Sequence, residues 1–284
     1  MSRYFDISSL KHLLVIVPHQ DDEILIGAGL IYEMLKQKKR VTVAIVTNGD
    51  YECTDYSKGR ARLRETLAGL EVLGLAKENV LFLGYADTGM PREESFLTAL
   101  FHTEEGEKVF LSSASTMTYG LEEKEDFHYM CCGEHGMYSK NTLIADLQEL
   151  ISRSNPDAIL TTHPLDMHGD HEALFYFVKS VLEDKNIISD MRVFVGMVHS
   201  PEGDETWPLR DSLRFTCPKG MEEYWENRLV LPLDDNFIGG KRDGNLKYEA
   251  LKKYETALEP NAVDYLMSFM KDEEIFWEIK QESL

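Results

Sequence analysis

The stretch HLLVIVPHQDDEILIGAGLIYE, residues 12–33, joins two apolar patterns through a charged seam. Residues 12–17 are a short run rich in Leu, Val and Ile, as in a strand buried on both faces. From residue 24 onward apolar positions fall at Ile24, Leu25, Ala28, Ile31, Tyr32 and Leu35, the spacing of one helix face. Between the two, Pro18 ends the run and His19, Gln20, Asp21, Asp22 and Glu23 follow in a row. A dinucleotide-binding turn would carry G-x-G-x-x-G here. Gly27 and Gly29 come too late, inside the helix, and Tyr32 occupies the third glycine slot. The turn offers carboxylates, which repel a pyrophosphate. The small residues at 27–29 are expected to let the helix lie close on a sheet.

The same alternation continues along the chain. VTVAIVT (41–47), NVLFLG (79–84), AILTT (158–162) and RVFVGMV (192–198) read as strands, with helices at about 60–75, 141–153 and 170–183 between them. Continuous apolar strands separated by helices predict an α/β fold, a Rossmann-like and mostly parallel sheet with helices on both faces. The expected organisation is one domain over 1–284. It has a lid-like insertion at about 90–140 and a C-terminal extension at about 200–284. That extension shows little strand signal, a helix at about 245–258 and further helix toward 280. The formal net charge of −20 argues against nucleic acid and against an anionic membrane surface. No apolar run approaches the roughly 20 residues of a membrane helix, and the N-terminus lacks the features of a secretory signal. Four cysteines without C-x-x-C spacing read as reduced thiols, so a cytoplasmic protein is expected.

A second polar cluster follows the 158–162 strand. THPLDMHGDHEALF, residues 162–175, holds His163, Asp166, His168, Asp170 and His171. In a parallel sheet it shares one edge with His19 and Asp22, the edge where open α/β sheets bind ligands. Carboxylates crowded together raise one another's pKa, and a divalent cation removes that cost. Imidazole nitrogens mixed with carboxylate oxygens suit Zn²⁺, with Fe²⁺, Mn²⁺ or Co²⁺ as alternatives. Three protein ligands would leave a position for water.

PHQDDE with HPLDMHGDH resembles the signatures of the zinc-dependent de-N-acetylases of the PIG-L / LmbE-like superfamily. The resemblance extends to TNGD (47–50), Arg62 and Glu65 before Leu73-Gly74, FLGYADTGM (82–90) and KYEALKKYETAL (247–258). It implies His19, Asp22 and His171 as zinc ligands and Asp21 as general base. His168 would stabilise the oxyanion or protonate the leaving amine, and Asp170 would orient His168 and hold it protonated. An N-cap for the helix near His171 is the plainer reading of Asp170. The implied substrate is a small amino-sugar conjugate bearing an N-acetylglucosamine-type amide. A different amide, such as a sugar–thiol conjugate, and a non-catalytic binding protein on the same fold are the alternatives. Intact Asp21 argues against the last. A homo-oligomer is compatible with the sequence.

The chain departs from the family pattern in three places. Gln20 stands for the usual Pro and Met167 for a frequent Arg. Tyr254 and Thr256 stand near a His-x-Ser-Gln segment. Arg62 is expected to contact a sugar hydroxyl or phosphate, its plainer reading being an ion pair with Glu65 one helical turn on. Asp87 is expected either to hold a sugar hydroxyl or to shape the turn before Gly89-Met90-Pro91. His128, Cys131, Cys132 and His135 read as part of the insertion and not as a second metal site, because adjacent cysteines do not easily face one ion.

Overall fold

The run at 12–17 forms strand β2 (His12–Val17), fully buried, after a two-residue β1 (Arg3–Tyr4). The computed structural model describes residues 3–184, 191–209, 211–238, 242–258 and 262–279. Strands β3 (Arg40–Thr47), β4 (Val80–Tyr85), β5 (Ala158–Thr162) and β6 (Arg192–Gly196) follow the predicted positions. So do helices α1 (Asp22–Lys36), α2 (Ser57–Val72), α5 (Lys140–Ser154) and α6 (Gly169–Asp184). With β7 (Leu229–Pro232) and β8 (Glu273–Ile279) from the C-terminal region, the strands among the described residues form one eight-stranded sheet, in the order β1-β7-β8-β6-β5-β2-β3-β4. Neighbours from β6 through β4 pair in parallel.

Alternation along β2 builds both faces of the sheet at once. Leu13, Val15 and Val17 enter one core with Leu63 and Leu70 of α2, whereas Leu14 and Ile16 enter the other with Leu143 and Leu147 of α5. β2 leads to β3 and β4 on one side, and its other neighbour is β5, which leads on to β6. The connections therefore diverge between β2 and β5, the crevice where open α/β sheets place ligands beyond the strand carboxyl ends.

Two regions depart from expectation. The C-terminal extension contributes β7 (Leu229–Pro232) and β8 (Glu273–Ile279), which pair antiparallel, and β8 also pairs antiparallel with β6. After a one-turn α7 (Glu222–Trp225), the helix expected at 245–258 is only α8 (Leu246–Leu251), continued by turns. The stretch read as helix toward 280 holds a short α9 (Val263–Met267) and then strand; its positions 259–261 and 280 lie outside the described residues. β8 hides from a periodicity reading because Glu274 is buried in it. That carboxylate accepts the Gly29 and Leu30 N–H groups of α1 at 2.8 and 2.9 Å and meets buried Lys247 at 3.3 Å. Gly29 allows this approach, since a Cβ there would lie 3.2 Å from Glu274 and 2.3 Å from Leu233. The insertion is anchored: α3 (Phe96–His102) and α4 (Phe127–Cys132) bury Phe96, Leu97, Leu100 and Phe127 in the second core.

Candidate metal centre and active site

The turn after β2 is strained where chemistry is expected. Asp21 has φ 96° and ψ −30°, a conformation side chains rarely adopt, and α1 begins immediately after it. Asp22 Oδ2 accepts the His19 backbone N–H at 2.9 Å, which draws carboxylate and imidazole to one side of the turn. His171 arrives from the first turn of α6. His19 Nδ1 and His171 Nε2 are 3.2 Å apart, and Asp22 Oδ2 lies 3.5 Å from the first and 3.3 Å from the second. Donors at tetrahedral positions around a zinc, about 2.1 Å from it, are about 3.4 Å apart. The three atoms therefore fit one small divalent ion. Nitrogens of His19, His168 and His171 also lie mutually within 4.8 Å, so His168 borders the same spot.

Carboxylates back both histidines. Asp170 Oδ2 is 3.1 Å from His19 Nε2, and Asp166 Oδ2 is 3.0 Å from His171 Nδ1, close enough for an ion pair though not aligned as a hydrogen bond. Such partners orient metal-binding imidazoles and raise their basicity. Burial pulls the His19 pKa down, but Asp170 and Asp22 outweigh it and bring it to about 10. His171 is likewise penalised by burial and driven well above its ordinary value by Asp166 and Asp22. Burial and Asp22 push Asp21 up to about 7.

The expectation that Asp170 orients His168 and keeps it protonated is corrected. Asp170 turns to His19, to Ser95 Oγ and to the Leu97 N–H at 2.8 Å, where it caps α3 from outside that helix. The N-cap reading for the helix near His171 is corrected as well, because Asp170 is the second residue of α6 and its carboxylate serves the first turn of α3 instead. His168 Nδ1 accepts the Asp170 backbone N–H at 3.2 Å, so the ring proton sits on Nε2. Burial holds its pKa far below the ordinary imidazole value, and three neighbouring imidazoles add to the effect. His168 is a neutral donor.

The Arg62–Glu65 ion pair is also corrected. Arg62 donates to the carbonyls of Gln20 (3.1 Å) and Gly49 (3.5 Å), while Glu65 accepts from Thr256 N–H and Oγ1 at 3.0 and 2.5 Å. The Arg62 charge lowers the pKa of Asp21, opposing burial. Asp87 meets its turn reading, since its carboxylate accepts the Gly89 N–H, and a carboxylate oxygen also lies within 4.8 Å of ring and carboxylate atoms of His19 and Asp170. His163 is buried against Trp277. His128 and His135 are taken by Asp146 and Asp126 at 2.7 and 2.5 Å, and the four cysteines are free.

A family model described as GlcNAc-PI de-N-acetylase, PIG-L, matches residues 14–182. The chain belongs to the PIG-L family. No curated protein sequence matches it. Its fold is similar to that of N,N'-diacetylchitobiose deacetylase from Pyrococcus horikoshii, at 14% identity over 97% of this chain and 87% of that one, with a TM-score of 0.55. A pseudoaglycone deacetylase for the antimicrobial A40926 matches at 15% identity over 95% of this chain and 97% of that one, TM-score 0.56. A zinc-inhibited teicoplanin deacetylase matches at 16% over 94% and 97%, TM-score 0.54. Among the described residues of this PIG-L family member, no helix is long and apolar enough to cross a membrane.

Two residues near the PIG-L site escape a motif reading. Tyr254 donates to Glu23 Oε1 at 2.5 Å, and Glu23 Oε2 accepts the Asp21 N–H at 3.1 Å. Only the departure at 254 from the family segment marks it in sequence. His199 follows β6, with its ring centroid 5.6 Å from that of His171 and 5.9 Å from that of His168. Its signal is simply a histidine at the carboxyl end of a predicted parallel strand.

Proposed function

We propose that this protein is a metal-dependent hydrolase that removes an acetyl group from the amide of an N-acetylglucosamine-type conjugate. The carrying observation is the donor triangle of His19, Asp22 and His171 with Asp21 beside it on a strained turn. Zinc suits the donor set, and a divalent ion bound there would polarise the amide carbonyl and make a water acidic near neutrality. Asp21 takes the proton of that attacking water. Burial raises the Asp21 carboxyl above the ordinary carboxylate range, toward the basicity this task needs. The His168 Nε2–H faces the carbonyl oxygen as negative charge builds on it, the part that a neutral imidazole at a helix N-terminus can play. As the C–N bond breaks, Asp21 returns its proton to the amine nitrogen, leaving acetate and a free amine. Arg62 keeps the turn in place through its carbonyls, and Asp87 receives a sugar hydroxyl. The test is metal analysis of the purified protein together with a screen of N-acetylated amino-sugar conjugates for released amine. Release that requires the metal supports the reading; metal-loaded protein that releases amine from none of them overturns it.

A further inference from the structure

His199 is the third histidine at this sheet edge to come from a different strand end, and the reaction outlined above gives it no task. Its surroundings fix its chemistry. Nδ1 lies 2.6 Å from Asp204 Oδ2, and the other oxygen of Asp204 is anchored by the Ser200 N–H at 2.8 Å. Tyr265 stacks flat on the ring, at 5.4 Å and 3°, and spends its hydroxyl proton on the Val198 carbonyl at 2.6 Å. The His199 backbone N–H is held at 3.0 Å by Asp166, the carboxylate that also backs His171. A carboxylate at 2.6 Å must receive the Nδ1 proton, so the neutral ring keeps a bare lone pair on Nε2. The side chain stays partly open to solvent, while its ring lies against those of His168 and His171. His168 therefore carries an N–H on Nε2, whereas His199 carries an acceptor there.

We infer that His199 is a substrate-contacting residue whose Nε2 accepts a hydrogen bond from the N–H of the scissile secondary amide, with Asp204 as the positioning residue that sets its tautomer. The inference rests on the deacetylase reading. It adds a substrate class: secondary amides over esters of the same shape. His168 on the carbonyl oxygen and His199 on the nitrogen would then read both ends of one amide.

The experiment uses the metal-loaded Asp21→Asn variant, in which turnover is suppressed. N-acetylglucosamine and its isostere 2-O-acetylglucose are titrated by calorimetry, and amine and alcohol release are compared in the Asp21 enzyme. One hydrogen bond to the amide N–H should favour the amide by about tenfold. His199→Phe keeps a ring against Tyr265 but loses the acceptor, so the preference should collapse toward one. His199→Gln, which offers a carbonyl oxygen, should recover part of it. Asp204→Asn can donate its own N–H to Nδ1 and so move the ring proton to Nε2; the preference should fall there too, as expected of a tautomer error. Thermal unfolding verifies that each variant is folded. Equal amide-to-ester ratios in the parent and in folded His199→Phe overturn the inference and leave the deacetylase reading standing. If neither sugar binds and no amine is released from any N-acetyl substrate, the deacetylase reading falls and takes this inference with it.

Discussion

At the scale of single residues, the site separates groups that hold from groups that act. Asp22 and Asp21 are neighbours in sequence, yet the histidines drive the Asp22 pKa well below the ordinary range against burial, while burial lifts Asp21 to about 7. Asp21→Asn should therefore retain metal and lose on the order of 10²–10⁴ in turnover, the usual cost of removing a general base. Metal content and kcat measured on the same sample check this, and a near-wild-type rate would point to Glu23 as the base. His163 carries a prediction about stability. It is buried, its Nδ1 accepts the Leu165 N–H at 3.0 Å, and burial depresses its pKa from the usual 6.5 to about 4. Between those values the unfolded chain binds the proton and the fold does not. The contribution is thus complete above pH 6.5 and is lost as pH falls toward 4, by about 3 kcal/mol in all. Denaturant unfolding of His163→Phe, which keeps a ring against Trp277, should show a shallower loss of stability over that window. An unchanged slope would assign the acid sensitivity to other groups.

At the scale of elements, α1 shows how much of the site lies outside the motif that names it. His19, Asp21 and Asp22 were legible because Pro18 and the change of apolar period mark the strand end. The groups that steady them come from the far end of the chain, and local pattern does not report long-range hydrogen bonds. Tyr254 passes beside α2 only because residue 69 is glycine: a Cβ there would lie 2.3 Å from the tyrosine ring. Its hydroxyl then reaches Glu23, whose other oxygen holds the Asp21 N–H. Tyr254→Phe strips a buried carboxyl of its donor and should cost about 1–3 kcal/mol. It should also lower kcat more than it raises KM, because the disturbed group is a turn carrying the proposed base. Gly69→Ala should act in the same direction by displacing the ring. Chemical unfolding and steady-state kinetics on both variants check the pair. A Tyr254→Phe protein as stable as wild type would mean that Glu23 does not depend on this contact.

At the scale of the whole molecule, the parallel part of the sheet was legible and its antiparallel edge was not. β2 to β6 announce themselves as apolar runs, whereas β8 carries Glu274, acceptable in the core only because Lys247 and two α1 N–H groups meet it. The proposed metal ligands come from the two sides of the resulting crevice, His19 and Asp22 after β2 and His171 after β5. A bound ion would therefore tie together segments about 150 residues apart in a chain of net charge −20, where crowded carboxylates otherwise repel. An ion that binds only the folded state stabilises it by mass action, about 2.7 kcal/mol at a hundred times Kd. For a chain of this size that corresponds to a Tm rise of roughly 4–5 °C. Chelator-treated protein should accordingly melt lower, and zinc should restore the melting temperature in a dose-dependent way. His19→Ala and His171→Ala, each lacking one corner of the triangle, should lose the zinc response, while His128→Ala, whose ring is taken by Asp146, should keep it. A zinc-dependent rise in Tm that survives in both His19→Ala and His171→Ala would place the stabilising ion elsewhere and remove the crevice from the metal chemistry.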